Sequence, residues 1–446
     1  MTSRFAYRLT LDPVLEPFRT EIEYAFDFVD ECYGLVRSDE ASRVVFYGPE
    51  APADDHVLFC PAAIFPEGVC CTTDGIFPAE GRFREIEDGK GLSPLLPVAS
   101  VSDRKMGYDA PGLIFHQLSR LEERLASSSD SYGRFPYDQT LAARVGRYGD
   151  PLADEAAEDL ARAIKGETSP KSVTEYAVIP THDVDKLRGY NYAHEPLRFA
   201  LGDLIKRRAP MRAFKRLHRG YFAGMPWSSL AELMTLSEHY GVQSHFYFIG
   251  PSWAPEDTPY GYTMPSLLKR AVEAIRARGH VVGYHPGHDT FDNADRWRSQ
   301  RDALEAIVGG ALRQGRQHRL EYSFAHTPDI WADNGMTFDC TPAFPQATGF
   351  RTGTCRPHKA YSLPRRRSLP LTLLSTPIQD FAYFSNGKYR DMTIDDAVIE
   401  ARKAIDVCRR YKGTVCILQH LGQVHDPARG FYRRVLAESF GAEVGA

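Results

Sequence analysis

The chain has 446 residues, 43% of them hydrophobic and 25% charged, with a formal net charge of −4. That length exceeds one comfortable hydrophobic core, so two domains are expected. So slight a charge argues against general nucleic-acid binding, and no apolar run is long enough to span a bilayer.

In chain order, the first residues carry an acid at Asp12 and lack the apolar core of a secretory leader. Eight cysteines, at 32, 60, 70, 71, 340, 355, 408 and 416, include no C-x-x-C pair. Cys60, Cys408 and Cys416 sit in apolar runs, where a free buried thiol is the usual reading. A reducing, cytoplasmic setting is therefore expected rather than secretion. Residues 1–170 are expected to form an α+β domain. Strand-like runs at Val44–Tyr47 and His56–Cys60 mix there with helical patterns, of which Tyr108–Leu125 is the clearest. The polar stretch Lys165–Val173, with Gly166 and Pro170, marks a boundary, and residues 171–446 form the second domain.

From Tyr176 onward, strand and helix patterns alternate, which predicts a parallel sheet with helices outside. The run Tyr176–Asp185 is strand-like and ends in Asp183 and Asp185, which share one face of an extended chain. Two adjacent carboxylates repel each other unless a metal or a proton neutralises them. A helix over Ser228–Tyr240 leads to the aromatic strand Ser244–Ile249, and one over Pro265–Arg278 leads to the strand His280–His285. Pro286 suits the first turn of a helix. His285 and Asp289 would then share one helical face, with His288 close by. Imidazole and carboxylate together suit Zn²⁺ or a similar divalent ion. Helices are expected over Arg296–Val308 and Asp395–Tyr411, the latter before a strand, Lys412–Leu418, that ends at His420. The basic stretch Lys206–Arg219, interleaved with Phe214 and followed by Tyr221 and Phe222, reads as a solvated helix face. A phosphate grip or an anionic membrane surface are its other readings.

The motifs Thr181-His-Asp183-Val-Asp185 and Leu418-Gln-His420, with the aromatic strand Ser244–Gly250 between them, resemble the polysaccharide deacetylase (NodB homology) group of carbohydrate esterase family 4. The resemblance implies a distorted (β/α) barrel with its chemistry at the strands' C-terminal ends. Ser131–Tyr137 and the segment from Asp150 look like the uncharacterised domain often found ahead of such barrels. Arg316 takes the place of the family's third-motif arginine and Asp339 that of its fourth-motif aspartate. One departure stands out: the family's second motif has histidines four apart, and the position four after His285 is Asp289.

What the resemblance implies is a metal-dependent N-deacetylase acting on an amide of a carbohydrate, free or phosphate-linked. Asp185, His285 and either Asp289 or His288 would hold a divalent metal, Zn²⁺ first, with Co²⁺, Mn²⁺ or Ni²⁺ open. Asp183 would act as base and His420 as acid. Arg316 would keep Asp183 ionised, and Asp339 would pair with His420. Arg351, on a glycine-flanked turn, and Tyr284, beside His285, are taken as substrate contacts. The alternative is a catalytically inactive protein of the same fold that binds carbohydrate or assists its assembly.

Overall fold

The computed structural model describes residues 4–441 except 55, 80–81, 89–94, 98–101, 103, 126–129, 131, 133, 188–193, 219–226, 385–391 and 422–426. Its first sheet is built on β1 (Phe5–Leu11), flanked by β2 (Leu35–Arg37) and β3 (Val44–Gly48), with β4 (Leu58–Pro61) outside β3. Every neighbouring pair in it is parallel. The first part of the chain is therefore α/β, where α+β was expected. The helix Arg19–Tyr33 returns the chain from β1 to the start of β2, the crossover that parallel pairing requires. No second helix is needed at once. β2 pairs with Phe5–Tyr7 and β3 with Arg8–Leu11, so the short link 38–43 joins them. An antiparallel hairpin follows, β5 (Val69–Thr72) with β6 (Gly75–Pro78).

The second sheet has nine strands in the order β12-β13-β11-β10-β9-β8-β7-β15-β14. They are β7 (Ala177–Val184), β8 (His245–Ile249), β9 (Val281–His285), β10 (Gln314–Gly315), β11 (Phe338–Asp339), β12 (His358–Ser362), β13 (Arg367–Leu373), β14 (Ile378–Gln379) and β15 (Thr414–Leu418). Only β12 runs antiparallel to its neighbour. Central strands read as near-continuous apolar runs because a parallel sheet is covered on both faces. β15, Thr-Val-Cys-Ile-Leu, is buried at every position.

The sheet is rolled. β13 and β14 stand seven positions apart in the order, yet only residues 374–377 join them. A flat sheet would separate them by about 34 Å, whereas that link spans at most about 18 Å. No ladder closes the roll among the described residues, and β12 and β14 are its hydrogen-bonded edges. The interior is filled by Tyr247, Cys340, Leu374 and Cys416.

Two hydrophobic cores result, one from Tyr7 to Ile164 and one from Val178 to Leu436, and the first also takes in Tyr361 and Leu363 of the β12–β13 pair. Buried polar contacts join the two halves. Asp154 accepts from the Cys355 N–H and the Thr354 hydroxyl, and Glu21 accepts from the Tyr361 hydroxyl. No helix among the described residues is long and apolar enough to cross a membrane.

Candidate active site

Strand register decides which side chains meet. Val184, Phe248, Tyr284, Gly315 and Asp339 form one row across β7 to β11. Side chains alternate between faces along each strand. Val184, Phe248 and Tyr284 lie in the core beneath the helices. The next residue on each strand end, Asp185, His285 and Arg316, therefore turns to the inner face, as does Asp183. Asp183, Asp185 and His285 line a cavity of about 620 Å³ together with His318 and His420.

Both imidazoles of the inner group are fixed through their Nδ1 atoms. His285 donates from Nδ1 to the Arg316 carbonyl and His318 donates from Nδ1 to Asp257 Oδ1 at 2.7 Å. That leaves each Nε2 lone pair free, the arrangement that carboxylates and carbonyls impose on metal-ligating histidines. His285 Nε2 and Asp185 Oδ1 stand 3.4 Å apart, both buried, and neither has a hydrogen-bond partner. Buried polar atoms left unpaired are costly, and a cation between them would satisfy both. One ligand atom each from Asp185, His285 and His318 lies within 4.8 Å of the other two. Two imidazoles and a carboxylate suit Zn²⁺ and neighbouring divalent ions. The residues thus fit the metal that the motifs imply.

Behind this group, Arg316 is wholly buried and reaches across the rolled sheet. It donates to Asp183 Oδ1 at 2.9 Å, to the Thr181 hydroxyl at 2.8 Å and to the Thr376 hydroxyl at 3.0 Å. Burial works against the ionised form of Asp183, but the guanidinium and His285 outweigh it and hold the carboxyl below its ordinary range. His420 lies across the cavity. Its Nδ1 meets Asp380 Oδ1 at 2.6 Å, and Asp380 Oδ2 accepts from the His420 N–H at 2.9 Å. Burial disfavours the imidazolium, yet Asp380, followed by Asp185 and Asp183, lifts its pKa to about 10.

Several expected residues lie elsewhere. No helix starts at Pro286, since the next begins at Ala294 on an Asn293 cap. Residues 286–293 instead form a loop in which Asp289 has a φ of 56° and is exposed. His288 turns to Glu321, with Nδ1 2.6 Å from Oε1. The structure therefore brings His318, not Asp289 or His288, to His285 and Asp185. Tyr284 and Asp339 share a register row, so both face away from the cavity. Tyr284 donates to the Trp297 carbonyl at 2.9 Å. Asp339 accepts from the Thr341 N–H at 2.8 Å, and its burial raises its pKa to about 6. The partner of His420 is Asp380 instead. Arg351 is also buried away from the cavity. It grips Glu123 of the N-terminal half at 3.1 and 2.9 Å and so fastens the two halves together.

Sequence reasoning missed His318, Asp257 and Asp380. His318 stood two residues past the arginine already singled out, whereas Asp380 directly follows β14, a strand of only two residues, Ile378 and Gln379. The N-terminal half of the chain also contributes to the cavity wall, through Tyr132 and Arg134. The Tyr132 ring is packed between Arg134 at 4.9 Å and Arg319 at 4.7 Å. Arg319 and Leu320 both have φ 57°, a left-handed pair that costs energy in non-glycine residues and turns the chain sharply after His318.

Residues 54–169 match the model of a family of unknown function, DUF7033. No curated protein matches the chain in sequence. Among solved structures it is similar to a Mycobacterium smegmatis protein described as a polysaccharide deacetylase, with 19% identity and a TM-score of 0.39 over 59% of this chain and 84% of that one. It is also similar to the Bc1960 peptidoglycan N-acetylglucosamine deacetylase, at 13% identity and a TM-score of 0.26 over 60% of this chain and 84% of that one. A carbohydrate esterase family 4 pseudoenzyme from Bacillus anthracis matches at 10% identity and a TM-score of 0.31, over 60% of this chain and 61% of that one. These likenesses are distant.

Proposed function

We propose that this chain is a metal-dependent hydrolase that removes an acyl group from the nitrogen of an amino-sugar-containing carbohydrate or precursor. The observation that carries the reading is the pair of buried, unpartnered ligand atoms, His285 Nε2 and Asp185 Oδ1, 3.4 Å apart beside His318. A divalent ion, when bound, lowers the pKa of water and polarises a carbonyl. The remaining work falls to the chain's own side chains. Asp183, kept ionised by Arg316, is the base that takes a proton from the attacking water. His420, kept protonated by Asp380, delivers one to the leaving nitrogen. Asp257 orients His318.

Charge at the mouth supports a phosphate-linked substrate. Lys186 lines the cavity and forms no ion pair among the described residues. Arg319 also lines it, and among the described residues its side chain meets only the Glu256 carbonyl and the Tyr132 ring, with its Nε unpartnered. The test is metal content by mass spectrometry on untagged protein beside His285→Ala, followed by acyl release from N-acetylated sugars and their phosphate-linked forms. About one equivalent of transition metal, absent from the variant, together with acyl release is the expected result. No uptake after incubation with Zn²⁺, Co²⁺ and Mn²⁺ would sink the reading in favour of a carbohydrate-binding protein on this fold.

A further inference from the structure

Fifteen large hydrophobic side chains are exposed among the described residues, and seven of them lie in one short segment. Leu197, Phe199, Leu201, Leu204, Ile205, Met211 and Phe214 belong to two packed helices, Glu195–Ile205 and Pro210–Leu217. Ile205 is 73% exposed, Met211 66% and Phe214 63%. Isolated exposed apolar residues are ordinary, but seven of them on two short helices packed together mark an interaction surface.

The same helices are strongly basic. Between residues 195 and 218 stand Arg198, Lys206, Arg207, Arg208, Arg212, Lys215 and Arg216, against only Glu195 and Asp203. Asp203 is shared by Arg207 and Arg216, each at 2.7 Å, and by Arg212 at 3.8 Å. Lys206, Arg208 and Lys215 are exposed and form no ion pair among the described residues. Large exposed apolar groups interleaved with surplus cations are the mark of a helix lying in a bilayer interface.

Position agrees with this. The segment is inserted after β7, whose end carries Asp183 and Asp185, and before β8. Arg219, Tyr221 and Phe222, which follow the second helix in sequence, lie outside the described residues. Another exposed aromatic pair sits in the connection that leaves the same end of β8. There Trp253, 64% exposed, and Tyr262, 48% exposed, stack with centroids 4.8 Å apart. Trp and Tyr favour the headgroup level of membranes. Phe381, 37% exposed, is on the cavity wall itself.

We infer that the helices Glu195–Ile205 and Pro210–Leu217 dock this protein on an anionic lipid surface, with the cavity mouth on the docking side. Two copies of this face would bring like charges together, which argues against a second chain as its occupant. A nucleic acid would meet the cations but leave the apolar side chains uncovered. The inference does not depend on the chemistry proposed for the cavity.

The experiment is flotation of the full chain with phosphatidylglycerol–phosphatidylcholine vesicles, and with phosphatidylcholine alone, at low and high ionic strength. The expected result is partition at least about tenfold stronger on the anionic vesicles, weakened by salt. Ile205→Asp with Phe214→Asp should cut that partition at least about tenfold with an unchanged melting temperature, because both sites are exposed. Lys206→Glu with Arg208→Glu should do the same while keeping the apolar groups. Protein that stays out of anionic vesicles, or floats equally well in both double variants, would overturn the inference. So would a solution dimer that Ile205→Asp dissolves, formed by protein that binds no vesicles.

Discussion

Two clusters of histidine and carboxylate sit within a few residues of each other in sequence, and their chemistry diverges. In Asp185–His285–His318, each imidazole is tied at Nδ1, and buried ligand atoms on His285 and Asp185 have no partner. In His288–Asp289–Glu321, the groups satisfy one another. Glu321 takes His288 Nδ1 at 2.6 Å and the Asp289 N–H at 3.2 Å, while His288 Nε2 lies 3.2 Å from Asp289 Oδ1. Asp289 is also well exposed to water. Residue type does not separate the two sets. What separates them is whether buried ligand atoms are left unpaired, since only these create a demand for a cation.

The sharpest way to break this contrast is to empty each cluster in turn and measure metal by mass spectrometry. His318→Ala should abolish binding, as Asp185→Ala should, whereas His288→Ala should leave metal content as in the wild type. Asp257→Asn, which loosens the hold on His318 Nδ1 and on the His288 N–H without removing a ligand, should weaken affinity about 10–100-fold. A variant His288→Ala that loses its metal while His318→Ala keeps it would reverse the assignment.

The next effect in size separates two of the carboxylates that hold an imidazole Nδ1. Asp380 keeps His420 protonated at the cavity, while Glu321 holds His288 outside the cavity lining. Asp380→Asn should lower kcat by about 10²–10⁴-fold with metal retained. Glu321→Gln should leave kcat near that of the wild type. Equal losses in the two variants would show that His420 has no special part in proton transfer.

How much of this was legible in the sequence follows from the physics of each element. Asp183, Asp185, His285, Arg316 and His420 were readable because buried parallel strands are apolar runs that end abruptly in polar residues. The third member of the candidate metal group, His318, was not. A proline after His285 was expected to begin a helix, but Gly287 there packs against Asp257, and a Cβ on it would stand 2.3 Å from Asp257 Oδ2. The loop is held from outside itself, by Asp257 Oδ1, which accepts from the His288 N–H at 3.0 Å, and by the Gln300 side chain, which accepts from the Gly287 N–H at 3.0 Å, and periodicity carries no trace of either contact. Tyr284 and Asp339 failed by parity, since neighbours on a strand face opposite ways. Their register becomes visible only once β9, β10 and β11 are paired. Asp380 follows a strand of two residues, too short to show a pattern. The parallel pairing of the first sheet depends on which half of β1 each neighbour meets, which is likewise a property of three segments together.

The smallest effect sharpens the same contrast from the side of stability. Burial opposes the charged form of His288, but Glu321 outweighs it and raises the imidazole's pKa above its ordinary value. For Glu321, burial is the largest influence and raises its own pKa, although His288 pulls the other way. A histidine with a raised folded-state pKa stabilises the fold fully below the unfolded value of about 6.5 and loses that contribution as pH rises through the folded value. The ion pair also needs Glu321 ionised, so its benefit fades again on acidification through the raised carboxyl pKa. The stability difference between wild type and Glu321→Gln, measured by urea unfolding across pH, should therefore peak between those two values and fall on either side. Its height should be about 1 kcal/mol, because the pair is partly screened by water. A difference that keeps growing at alkaline pH would mean that Glu321 acts on something other than His288, and the second cluster would then have to be regarded as an unsatisfied site like the first.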